Sequence, residues 1–352
     1  MVNNQFKLSA IFALSVALTF GSISVLAKEF TDNAFVSSSL GHGVYELSQD
    51  TLQQAIFAAS APSFDKDKTS GLVFKLDPQT LAIGEKIATT RRTFATAIDQ
   101  QNHILYLGNA LEGSLTLLDT RTGKELKIIP LSDDADANKK AHVREVVLDA
   151  KHQRLYVSGI GEKGKGLLWV VDTGKQQLIN TLEKLEPVGF AVDTAGDRVY
   201  VVTGGGELVT LDAKTSQPLS SVKVDPADPH HYFLNIALNT KAGLGYIADT
   251  NTQDVLVVKL ANGELVHRIP TPNSIAVLYN AARDEIYVTH RNARQIGVID
   301  ASSYAIKHTI KTAAMPNSLL LSQDARTLYV SVKQDEKAKT ADYVLKIDLN
   351  ML

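Results

Sequence analysis

One motif returns seven times along this chain and restricts it to a ring or stack of similar units. Short apolar segments centred on an aromatic residue occur at Phe57, Tyr106, Tyr156, Tyr200, Tyr246, Tyr287 and Tyr329, 41 to 50 residues apart. A period of about 40–50 residues is the length of one four-stranded propeller blade, a unit that cannot bury its apolar faces without neighbours.

Each unit carries four strand signals. In the sixth, the apolar run 274–279 is followed by the turn Asn280-Ala281-Ala282-Arg283-Asp284, the β-branched run 286–289, the alternating run 294–300 and an outer run 305–310. Short β-branched and aromatic runs punctuated by Asn, Asp and Gly predict an antiparallel meander. No sustained 3.6-residue periodicity follows the N-terminal segment, so few helices are expected. The third run ends in Asp at Asp77, Asp119, Asp172, Asp212, Asp300 and Asp348, with Lys259 at that place in the fifth unit. An Asp there accepts backbone N–H groups two residues on, which makes these aspartates turn formers rather than catalytic acids. The last unit supplies only the runs 318–322, 327–332 and 343–349, while a spare segment precedes the first inner run. Residues 33–40 are therefore expected to complete the last blade, since joining both chain ends in one sheet removes an open edge. The expected fold class is all-β: a seven-bladed β-propeller of four-stranded antiparallel blades, closed by an N-terminal strand in the last blade.

Two segments organise the chain. Residues 1–27 have the layout of a secretory signal peptide: Lys7, an apolar stretch over 8–20, and Val25-Leu26-Ala27 before the expected cleavage. Residues 28–352 form the propeller. Nothing later is apolar for about 20 residues, so no membrane insertion is expected after cleavage. Removing one Lys and no acid leaves 35 basic against 38 acidic residues, a net charge of −3, which gives no overall electrostatic footprint for nucleic acid or membrane. The absence of cysteine excludes disulfides, thiolate metal sites, thiol nucleophiles and covalently attached haem. No cofactor is expected, and a monomer is.

The repeat also carries a family likeness. Ile286-Tyr287-Val288-Thr289 matches the signature of the YVTN-repeat propellers. The longer stretches 281–291 and 297–304, 156–161 with 169–172, and 316–319 with 329–334 resemble the YncE-like periplasmic propellers within that family. The resemblance implies a periplasmic location, no catalytic activity, and DNA binding, chiefly of single strands. Fold alone does not deliver function, so that activity has to be weighed against individual residues.

In a four-stranded meander, the loops joining blades and those joining second to third strands share one face. Here they are the long, irregular ones: 59–70, 109–113, 132–141, 158–166, 225–231, 290–294 and 333–341. Long loops on a rigid scaffold are where binding residues concentrate. Arg92, Phe94, Arg144, Lys163, Lys165, His231, Phe233, His290, Arg291 and Asn317 fall on this face or at its central opening. Bases beside aromatic rings suit a phosphate backbone with stacked bases, against the simpler reading that Phe94 and Phe233 pack between blades and the charges are solvated. Gly204-Gly205-Gly206 and the glycine-rich run 159–166 open no helix, so they read as hairpin loops rather than phosphate cradles. His42, His142, His230, His231 and His290 lie near the face without metal-enzyme spacing. Two alternatives stay open: a metal-dependent lactonase or hydrolase with a pore site, and a platform for an envelope protein.

Overall fold

A computed structural model describes residues 34–65, 68, 70–132, 142–160, 166–335 and 340–352. Among the described residues twenty-eight strands, numbered β1 to β28 in chain order, form seven four-stranded antiparallel sheets. The inner strands are β2 (Val44–Asp50), β6 (Thr93–Asp99), β10 (His142–Asp149), β14 (Pro187–Asp193), β18 (Phe233–Asn239), β22 (Ala276–Asn280) and β26 (Met315–Leu321). Six blades are meanders of consecutive strands. The seventh has the order β26, β27 (Thr327–Lys333), β28 (Asp342–Asp348), β1 (Phe35–Gly41). The expected closure by the N-terminal segment is therefore present, with Phe35 opposite Ile347 and Ser39 opposite Tyr343. Asp342 strengthens the joint: one carboxylate oxygen accepts the N–H groups of Gly43 and Val44 at 2.8 and 3.0 Å, binding blade seven to the start of blade one.

The core lies between blades. Seven apolar clusters fill the seven gaps. Second and third strands are buried on both faces, as at Ser114–Asp119, where every residue is buried, while outer strands alternate and leave Leu126, Leu219 and Ile306 exposed. Trp169 packs in the gap between blades two and three.

The repeated tyrosine has a physical reason. Its ring fills a gap, and its hydroxyl, buried away from water, needs a partner. Tyr156 donates to the carbonyl of Ala213 at 3.2 Å and Tyr329 to that of Pro78 at 2.8 Å, each fastening its blade to a turn of the next. The Tyr329 contact joins blade seven to blade one. The aspartates that end third strands behave as expected. Asp77, Asp119, Asp172, Asp212, Asp300 and Asp348 each accept at least one N–H two or three residues on. At Asp119 the Arg121 guanidinium, helped by the backbone N–H groups of Arg121 and Thr122, holds the carboxyl down at about 2.

Candidate channel and mouth

The seven inner strands enclose a central channel with a cavity of about 390 Å³, lined among others by Glu46, Arg144, Glu145, Asn235, Arg291 and Asn317. Aligning the inner strands by their pairing to second strands puts Glu46, Ala95, Glu145, Gly189, Asn235, Ala276 and Ser318 at one level. In six of the seven blades a register shift falls beside this level, and bulges of that kind re-aim side chains.

The level alternates polar with small residues, and the polar ones act between blades. Glu46 accepts the N–H of Thr96 in blade two at 3.0 Å. The Phe190 N–H of blade four and the Asn235 side chain of blade five favour the charged form of Glu145. Asn235 accepts the N–H of Val277 in blade six at 3.0 Å. Ser318 donates to the carbonyl of Tyr45 in blade one at 2.8 Å. Between them Ala95, Gly189 and Ala276 leave room. A Cβ at Gly189 would fall 2.5 Å from the carbonyl oxygen of Leu234, so that blade contact requires glycine.

Electrostatics centre on Arg144. One of its terminal nitrogens lies 3.6 Å from a Glu46 oxygen and 3.9 Å from a Glu145 oxygen. Burial raises both carboxyl groups well above the ordinary range. For Glu145 the Glu46 charge adds to this, and Arg144 pulls both back only in part. Two carboxylates beside one guanidinium therefore retain a shared proton toward neutral pH. A carboxyl raised in the folded state contributes stability below about pH 4, its unfolded range, and loses it as pH rises through the raised value. Glu145→Gln keeps the size and shape of the side chain and removes its charge. We expect it to raise the melting temperature at about pH 8 and leave it near wild type at about pH 5, each unit of displaced titration being worth about 1.4 kcal/mol. Calorimetry at the two pH values measures this. Equal shifts at both would mean that Glu145 titrates normally.

Above this level an aromatic cluster forms the mouth on the loop-bearing face. Tyr45 and Phe94 stack at 4.1 Å, and Phe64 meets Tyr45 edge-on at 6.0 Å. Lys333 Nζ stands 3.7 Å from the Tyr45 ring centre and the Arg144 guanidinium 5.9 Å from that of Phe94. Phe64 is 44 % exposed. These are cation–π distances, the kind of setting in which Arg and aromatic rings serve together in recognition.

The structure sorts the residues chosen from sequence. Phe94, Arg144, Arg291 and Asn317 meet at the channel. Four others lie inside the protein rather than on the face. Arg92 is buried, its Nε donating to the Lys68 carbonyl at 2.9 Å and lying 3.4 Å from Glu112. Phe233 is fully buried and packs on His231 at 5.2 Å. Buried His231 is held between Asp249 at 2.5 Å and Asp225 at 3.3 Å. His290 is buried near the Asn273 carbonyl at 3.4 Å, and burial lowers its proton affinity. A buried ring has no face to offer a base, so Phe233 serves the gap between blades four and five. Lys163 and Lys165 lie outside the described residues. Sequence reading missed Glu46, Glu145, Asn235, Tyr45 and Phe64.

Among the described residues, one group has the ligand types and closeness for a metal: Asp225, Asp228 and His231. Its donors are already engaged, Asp225 by Arg268 and His231 by Asp249. In the channel, Arg144 stands between the two carboxylates a cation would need. Neither place favours a metal-dependent hydrolase. Among the described residues no helix is long and apolar enough to cross a membrane.

Fold and channel together define a seven-bladed repeat propeller with a polar central channel. The protein is similar over nearly its whole length to YncE of Salmonella typhi, at 34 % identity over 97 % of this chain and 98 % of that one. It is also similar to YncE of Escherichia coli K12, at 36 % identity over 95 % and 96 %. The chain belongs to the YncE family. A family model described as outer membrane protein assembly factor BamB matches residues 145–349. Among solved structures, Kuenenia stuttgartiensis hydrazine synthase aligns with a TM-score of 0.69 at 14 % identity, covering 88 % of this chain and 96 % of that one. The Cps50 (Swd1) propeller domain of Myceliophteria thermophila aligns at 0.67 and 11 %, covering 88 % and 98 %. At such identities the likeness concerns the fold alone.

Proposed function

We propose that this is an exported, non-enzymatic binding protein of the periplasm whose loop-bearing face takes single-stranded nucleic acid at the channel mouth. The carrying observation is the cluster of Tyr45, Phe94 and exposed Phe64 with Arg144 and Lys333 set against the rings. Cations attract the phosphate backbone, and an exposed ring stacks on any base, which gives binding with little sequence demand. The signal-like segment at residues 1–27 and the family resemblance support the location.

Binding through Arg144, Arg291 and Lys333 releases counterions. Each phosphate contact to a single strand adds about 0.7 to the slope of log affinity against log salt. Three contacts give a slope of about −2. Fluorescence anisotropy of a labelled oligo-dT, titrated between about 50 and 200 mM salt, measures it. Affinity independent of salt, or no binding at the lowest salt, would refute the reading. Phe64→Ala should weaken binding without changing the slope, since stacking of one base is worth about 1–3 kcal/mol and releases no ions.

A further inference from the structure

The channel below the mouth holds an incomplete set of hydrogen bonds. Arg144 is about three-quarters buried, with 23 % of its side chain exposed. A guanidinium carries five N–H donors in a fixed fork. Among the described residues Arg144 has two carboxylate oxygens near it, at 3.6 and 3.9 Å. Both distances are ion-pair contacts beyond hydrogen-bond reach. Glu46 uses its other oxygen on the Thr96 N–H. The space thus presents a donor fork beside two carboxylate oxygens that it does not bond, in a cavity of about 390 Å³. Pockets for small ligands occupy about 300–1,000 Å³.

An edge that fits must carry acceptors for the guanidinium and, next to them, donors for a carboxylate. Guanine has both: O6 and N7 accept from an Arg fork, and the adjacent N1–H and N2–H₂ donate. Thymine has one ring N–H flanked by acceptors. Adenine and cytosine have a single amino group beside acceptors and lack the paired donors. Asn235 and Asn317 line the same cavity, and the stacked pair Tyr45 and Phe94 stands at its entrance.

We propose that the channel admits one unstacked guanine of a bound strand, read by Arg144 together with Glu46 and Glu145. This deepens the nucleic-acid reading and rests on it. Single-strand recognition commonly splays a base out and hydrogen-bonds its Watson–Crick and Hoogsteen edges. The phosphates then sit at the mouth by Arg291 and Lys333, and Arg144, which meets a phosphate in oligo-dT, turns its fork to the base edge where the strand carries a guanine.

Two titrations test it: oligo-dT against the same strand with one central dG, dA or dC, and the free mononucleotides dGMP, dAMP, dCMP and dTMP. The dG strand should bind about tenfold tighter than the others, the ratio expected from one well-made base contact. Glu46→Gln, which turns one acceptor oxygen into a donor amide, should abolish the dG advantage. If oligo-dT binds and dG adds nothing over dA or dC, this inference falls while the nucleic-acid reading stands. If oligo-dT does not bind but dGMP binds above the other mononucleotides, the channel site stands and the strand reading falls. No binding of either kind overturns both.

Discussion

Removal of β1 is expected to cost more stability than any single substitution on the surface of this protein. Deleting Phe35–Gly41 bares the edge of β28 over Asp342–Asp348, with its backbone donors and acceptors unpaired. It also removes Leu40, 6 % exposed, from the gap between blades seven and one, and Phe35 from the gap between blades six and seven. Burial of one large apolar side chain is worth about 1.5–3 kcal/mol, and each backbone bond contributes about 0.5–1.5 kcal/mol net. The loss is therefore above about 5 kcal/mol, a large share of the stability of an ordinary domain. The shortened chain should also associate through its open edge. Leu40→Ala, a milder probe, should cost about 2–5 kcal/mol. A synthetic peptide of residues 34–41 added to the shortened protein should raise its melting temperature in a concentration-dependent way, because it binds only the folded ring. An unchanged melting temperature after deletion would mean that the ring closes without this strand.

The second large effect is on binding. Arg144→Ala removes the cation at the entrance of the channel and leaves Glu46 and Glu145 facing each other without their shared positive partner. Affinity for oligo-dT should fall at least tenfold, and the salt slope should shrink by about 0.7, one phosphate contact. Removal of Arg144 also makes the carboxyl pair harder to ionise, so the variant should lose stability as pH rises, and its binding is best measured near pH 6. Arg121→Ala is a suitable control. Arg121 pairs with Asp119 at 2.9 Å on the turn after a third strand, on the opposite face, and its loss should leave binding unchanged. Equal losses in the two variants would indicate nonspecific charge attraction rather than a site at the mouth.

Much of the architecture was legible in the sequence because it rests on local chemistry that repeats. The tyrosines recur because each gap needs a large ring with a satisfied hydroxyl, as Tyr156 and Tyr329 have. The third-strand aspartates recur because each turn needs an acceptor, and closure followed from counting strands. The channel was harder to see. Glu46 and Glu145 sit in strands of mixed burial, VYELSQD and HVREVVLD, where a single acid looks like an outward polar residue. Only the register shifts at the strand starts bring them to one level. The available signal was the alternation of polar and small residues when all seven inner strands are aligned at Glu46, Ala95, Glu145, Gly189, Asn235, Ala276 and Ser318. Phe233 and His231 were misplaced for the converse reason. His231 lies just before β18 and Phe233 is its first residue, where sequence suggests a loop, yet the backbone has already turned inward, and Asp249 supplies the partner that lets His231 be buried.

Hydrogen–deuterium exchange of the full-length protein with and without oligo-dT locates the bound strand on the propeller. A strand held at the channel mouth slows exchange at residues 61–64, 142–146 and 291–294 and leaves the third-strand turns near Asp119, Asp212 and Asp300 unchanged. Protection confined to those turns, or to the outer strands of the blades, would contradict that placement.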